Sequence, residues 1–127
     1  MNLSQLIKEV SERTNGTHTA YDENRSFVVI PVPSKRYQSV LAEYVTKDDV
    51  RYIEASTKIC DEAQTPDKLF KIEKKLTFAK LAIKDGFLQV VSYLDPAMSP
   101  DLAAAIIKEM ATFADEQELA ITGQDVY

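Results

Sequence analysis

Residues 77–94 read Thr77-Phe78-Ala79-Lys80-Leu81-Ala82-Ile83-Lys84-Asp85-Gly86-Phe87-Leu88-Gln89-Val90-Val91-Ser92-Tyr93-Leu94. Two apolar-rich runs flank Asp85-Gly86. Asp-Gly is the strongest two-residue hairpin signal, because both central positions of the favoured turn need positive φ. The stretch therefore predicts two antiparallel strands, 77–84 and 87–94. Toward the N-terminus the same strand-like patterning recurs. Ser26–Val32 is rich in β-branched residues and ends at Pro33, where a strand must reach an edge or a turn. In Tyr37–Thr46, Val40, Ala42 and Tyr44 point one way and Leu41 and Val45 the other. Lys47-Asp48-Asp49 reads as a turn, and Val50–Ile59 as the next strand. Three strands on short connections predict an antiparallel meander.

Helical spacing brackets these strands. From Asn2 to Thr14, Leu3, Leu6, Ile7 and Val10 form one stripe, Asn2 with Gln5 resembles a capping box, and Asn15-Gly16 is the stop, with glycine suited to the left-handed cap. Thr65-Pro66-Asp67 predicts the start of a short helix carrying Leu69, Ile72 and Leu76. Ser99-Pro100-Asp101 opens the last helix, with Leu102, Ile106, Met110 and Phe113 on its stripe and Gly123 as its latest end. The predicted order is α-β-β-β-α-β-β-α. This is an α+β domain over residues 1–127, with an antiparallel sheet of about five strands and helices packed on one face.

Composition narrows the function. A chain of 127 residues with 45% hydrophobic content supports one ordinary core. A net charge of −5 disfavours phosphate backbones, and Lys71, Lys74, Lys75, Lys80 and Lys84 read as a solvated face, so no nucleic-acid partner is expected. The longest apolar stretches, Phe27–Val32 and Leu102–Ile107, are too short for a bilayer, and the opening residues lack the pattern of a signal peptide. No membrane association and a cytoplasmic location are expected.

Residues able to carry chemistry are sparse. His18 is the one histidine, expected in a polar loop, and Cys60 the one cysteine, so neither an intrachain disulfide nor a zinc site of the usual ligands can be assembled. Asp61 and Glu62 beside Cys60 oppose thiolate formation. Gly16, Gly86 and Gly123 serve caps or turns and form no phosphate loop. The acidic pairs Asp48/Asp49, Asp61/Glu62 and Asp115/Glu116 fall at turns or helix ends, where acids meet water. No catalytic residue, cofactor or metal is expected.

Alternation sorts the sheet into two faces. Val28, Ile30, Leu41, Val45, Ile53, Leu81, Ile83, Leu88, Val90 and Leu94 make an aliphatic face for the helices. The other face collects Phe27, Val29, Val40, Ala42, Tyr44, Tyr52, Phe78, Val91 and Tyr93, mixed with Lys80, Lys84 and Gln89. Patches of this kind mark contact surfaces, and tyrosine is enriched in them. Phe27, Val29, Val40, Tyr44, Tyr52, Phe78, Val91 and Tyr93 are therefore the candidate protein-binding or dimer face.

Arg36-Tyr37-Gln38-Ser39-Val40, the segment Phe78 through Leu88, and the ending Ala114-Asp115-Glu116 through Ile121-Thr122-Gly123-Gln124-Asp125-Val126-Tyr127 carry a resemblance. With the element order, they resemble the type III secretion chaperone-like fold, and within it the YbjN-like branch of small bacterial proteins. The resemblance spans nearly the full chain and contains no catalytic signature. It implies a small, acidic, homodimeric, non-enzymatic domain that engages a segment of a partner protein by strand addition or helix docking. The alternative it leaves open is a self-associating regulatory or structural accessory protein with no secretion role.

Overall fold

A computed structural model describes residues 1–123 of the chain. The elements in order are α1 (Leu3–Thr14), β1 (Thr17–Asp22), β2 (Arg25–Pro31), β3 (Tyr37–Lys47), β4 (Val50–Asp61), a single 3-10 turn (Glu62–Gln64), α2 (Leu69–Glu73), β5 (Lys80–Lys84), β6 (Phe87–Leu94) and α3 (Pro100–Thr122). The strands form one antiparallel sheet in the order β1-β2-β3-β4-β6-β5. α1 packs across β1–β3, and α3 packs across β3, β4 and β6 on the same side. The core lies between them and is built from residues such as Ile7, Val28, Val40, Ile53, Val90, Ile107 and Met110.

The α+β architecture agrees with the sequence reading, but the sheet has six strands rather than about five. The additional one is β1, where the sequence predicts a loop around His18. Five of its six residues are exposed, so it lacks the apolar alternation that announces a strand. Backbone pairing with β2 holds it, from Thr17 opposite Val29 to Asp22 opposite Arg25, through one irregularity.

Several local signals act as read. Gln5 N–H donates to Asn2 Oδ1 at 2.8 Å and Asn2 N–H donates to Gln5 Oε1 at 2.9 Å, completing the capping box of α1. Asp85 and Gly86 both take positive φ between β5 and β6. Asp48 and Asp49 do the same between β3 and β4. Ser99 caps α3 with Pro100 in its first turn, and Gly123 ends it in the left-handed conformation.

Other signals do not. The left-handed residue after α1 is Asn15, not Gly16. Gly16 is required for a different reason: a Cβ there would lie 2.6 Å from the carbonyl oxygen of Val29. Thr65-Pro66-Asp67 does not open a helix; α2 begins at Leu69, and Lys68 supplies no side-chain cap. The strand expected over 77–84 begins only at Lys80. Glu109 of α3 accepts the backbone N–H groups of Thr77 and Phe78, and Ser92 Oγ donates to the Phe78 carbonyl at 2.9 Å. Those backbone groups bond to side chains instead of a strand ladder.

Candidate functional site: the uncovered face of the sheet

Cross-strand register decides which side chains share a face. Val28 stands opposite Val40, Ala42 opposite Ala55 and Ile53 opposite Leu94, and all are buried on the helix side. Phe27 stands opposite Leu41, Leu41 opposite Ser56 and Ser56 opposite Val91, forming a row across the side without helices. The expected phase of β3 is therefore inverted. Val40, Ala42 and Tyr44 lie on the covered side, Tyr44 partly buried against the core with Arg51 stacked 3.4 Å from its ring centroid. Leu41 and Val45 lie on the open side, the reverse of the expectation. A one-residue change of phase moves every side chain of a strand to the opposite face.

Of the candidate binding residues, Phe27, Val29, Tyr52 and Tyr93 are accessible on the uncovered face, whereas Val91 is turned to that side but is buried, contrary to the expectation that it is a contact residue. Val40 and Tyr44 are on the covered side. Phe78 precedes β5 and is about half exposed there, outside the sheet. Tyr21 joins the face through its edge-on contact with Phe27, at 6.3 Å between ring centroids, and went unnoticed because β1 did.

This face is not flat. Sheets twist with a fixed hand, and here Lys84, at the end of edge strand β5, reaches Glu54 on β4 and Glu43 on β3. The two strands between β5 and β3 are bridged by one side chain. The hairpin tip and the β1–β2 edge thus wall a trough of about 640 Å³, lined by Tyr21, Phe27, Leu41, Ser56, Lys58 and Gln89 among others. Glu43 and Glu54 stand directly opposite each other, an arrangement that repels until a cation joins it. Burial works against the Lys84 ammonium, but Glu54 and then Glu43 outweigh it and hold its pKa above the ordinary value.

The aromatic rings of this face are capped by cations. Arg25 lies 4.2 Å from the Tyr21 ring, Lys58 4.0 Å from Phe87 and Lys80 5.0 Å from Tyr93, while Tyr52 and Tyr93 pack edge to face at 5.3 Å. Such stacking lets long basic side chains cover apolar surface while their heads stay in water. The face offers both apolar anchoring and hydrogen bonding without a concentrated charge of either sign.

The remaining candidates fall elsewhere. His18 sits on β1 with its Nε2 3.5 Å from Ser4 Oγ. Cys60 is buried in the core, and burial, then the charges of Asp61 and Glu118, push its thiol pKa up. Glu62, expected to contribute, is not among the causes. Among the described residues, no group of three or more His, Cys, Asp or Glu is placed to hold a metal ion.

Asp115 corrects the reading of acidic pairs as water-facing. It lies within α3 and is buried, where its carboxylate accepts from Arg36 Nε at 2.8 Å, Arg36 Nη2 at 2.9 Å and Ser34 Oγ at 2.7 Å. Two stretches that carried the resemblance, Arg36–Val40 and Ala114–Glu116, are thereby joined through a two-pronged ion pair. Gln124 to Tyr127, the end of that motif, lie outside the described residues. Among the described residues, no helix is long and apolar enough to cross a membrane. Neither a scan against protein-family models nor a search of curated proteins gives a match for this chain.

Proposed function

We propose that this is a non-catalytic protein-binding module, chaperone-like in architecture, which acts in the cytoplasm as a homodimer and holds an extended segment of a partner protein. The trough on the uncovered face carries this reading. It combines half-buried apolar residues, Phe27 and Leu41, with the polar groups of Ser56, Lys58 and Gln89. An extended segment alternates its side chains every residue. Every second one would meet the apolar residues Phe27 and Leu41, and the intervening backbone would meet polar groups. The YbjN-like resemblance agrees with this reading as fold analogy.

The dimer is supported by β1. It is an open sheet edge with neither lysine nor proline, interrupted by one irregularity between Ala20 and Asp22, whereas the other edge, β5, carries Lys80 and Lys84. The same edge favours the second reading, a self-associating accessory protein that needs no other partner.

One experiment separates the two. A photo-crosslinking residue at Phe27 is used to capture neighbours in the source cell, and sedimentation gives the mass of the purified chain. A saturable partner, lost in Leu41→Asp while the dimer persists, supports the segment-binding reading. A dimer with no captured protein, reduced to monomer by Ala20→Lys, selects self-association. A monomer that captures nothing overturns both.

A further inference from the structure

Away from the trough, residues 65–80 contain Lys68, Lys71, Lys74, Lys75 and Lys80 against only Asp67 and Glu73, on a chain whose net charge is −5. All five lysines are exposed. Two carboxylates of this region are turned to backbone. Glu73 Oε2 accepts the Leu81 N–H at 2.8 Å, and Glu109 accepts those of Thr77 and Phe78. Among the described residues, Lys68, Lys71, Lys74, Lys75 and Lys108 form no ion pair. The positive field of this segment is therefore left for an outside group.

Two apolar features lie within it. Phe70, on α2 between Lys68 and Lys71, is 85% exposed, the highest value of any large apolar residue described. Single exposed apolar residues are common, so Phe70 counts here only as the apolar member of a cationic segment. Lys75, just beyond α2, also faces a shallow groove along α3, lined by Ala105, Lys108, Glu109, Thr112, Phe113 and Glu116. These α3 positions recur at helical spacing, so the groove runs along one stripe of the helix. Lys75 and Lys108 contribute its cations.

We propose that α2 and the adjoining stripe of α3 form a second docking surface, specific for an acidic amphipathic segment of another protein. Its carboxylates meet the lysines, and its apolar side chains cover Phe70 and enter the groove between Lys75 and Lys108. Charge complementarity selects the sign of the partner. Glu109 and Glu116 beside Lys75 and Lys108 interrupt the positive surface, which favours a peptide of interspersed acidic and apolar residues over a uniformly anionic membrane. The surface shares none of its residues with the trough, so the two proposals stand or fall separately.

The test uses the full chain and three fluorescent synthetic peptides of about 15 residues, each read by anisotropy. One has a Glu-rich polar face and a Leu face, one has Lys in place of Glu, and one has Glu with no apolar residue. Only the first should bind, with affinity falling about tenfold or more between low and near-molar salt. Phe70→Ser and Lys71→Glu should each weaken it about fivefold or more, and both residues are exposed enough for the fold to persist, which circular dichroism verifies. Leu41→Asp should leave it unchanged. Equal binding of the Lys peptide, indifference to both patch variants, or preference for phosphatidylserine vesicles or a single-stranded oligonucleotide would each overturn the assignment. Self-association of the chain through Phe70 would do so as well.

Discussion

Val40 and Leu41 are neighbours on β3 and differ by one methylene, yet they occupy opposite worlds. Val40 is fully buried under the helices opposite Val28, while Leu41 lies half-buried in the trough opposite Phe27 and Ser56. The covered side is dry, and its polar groups are only partly tied down: Gln38 Nε2 donates to Thr57 Oγ1 at 2.8 Å and Asp115 grips Arg36, while Ser26 Oγ and Gln38 Oε1 are buried with no hydrogen-bond partner among the described residues. The open side uses charge across strands, through Lys84 and its two glutamates. The difference shows that one strand supports two functions, cohesion on one face and contact on the other. Local sequence does not label them; register does.

The sharpest way to break this comparison is to place the same charge on each neighbour. Val40→Asp should cost about 4 kcal/mol or more, enough to unfold much of the population, because a carboxylate would enter a dry core. Leu41→Asp should cost only about 1 kcal/mol, because its side chain reaches solvent in the trough. Urea denaturation midpoints measure both. Equal losses would mean that the two faces do not differ as described.

Much of the fold was legible because its signals are local. Asn2 with Gln5, Asp85-Gly86 and Ser99-Pro100 each act through backbone groups within a few residues. What was not legible depends on partners far along the chain. Val40, Leu41, Ala42 and Tyr44 alone do not choose the phase of β3; Ser39 and Glu43, which fall in the same alternating set as Leu41, mark that set as the open one, and pairing with β2 fixes it. The start of β5 is set by Glu109, more than 25 residues downstream. The candidate face was half legible for the same reason. On β4 the polar residues Glu54, Ser56 and Lys58 fall in the same alternating set as Tyr52 and place it correctly, whereas β3 has apolar residues in both alternating sets, and Val40 and Tyr44 are misplaced.

On the covered side, Asp115→Ala should destabilise the fold by about 3 kcal/mol, since it removes the carboxylate that Arg36 and Ser34 both bond. Asp115→Asn, which keeps one acceptor oxygen, should cost less, and the ranking is readable in thermal midpoints. Gly16→Ala tests the seam between the faces. Its new Cβ would press on the Val29 carbonyl at 2.6 Å and on Thr14 Oγ1 at 3.2 Å. The β1–β2 pair must then shift, at about 2 kcal/mol. Hydrogen exchange should localise the loss to β1; a uniform loss across the sheet would contradict the steric account.

The smallest effect belongs to the open side and tests its electrostatics most directly. Lys84→Met removes the cation that reconciles Glu43 with Glu54 across β3 and β4, and should cost about 1 kcal/mol near neutral pH, because all three groups are partly solvated. In the parent protein the Lys84 pKa is raised, so its contribution is complete below the ordinary lysine value of 10.5 and declines only as pH rises through the higher folded value. Adding Glu43→Gln to Lys84→Met should recover most of the loss at neutral pH, because a single carboxylate has no like charge to face. A deficit that the second substitution does not reduce would show that Lys84 holds the trough through packing of its stem rather than through its charge.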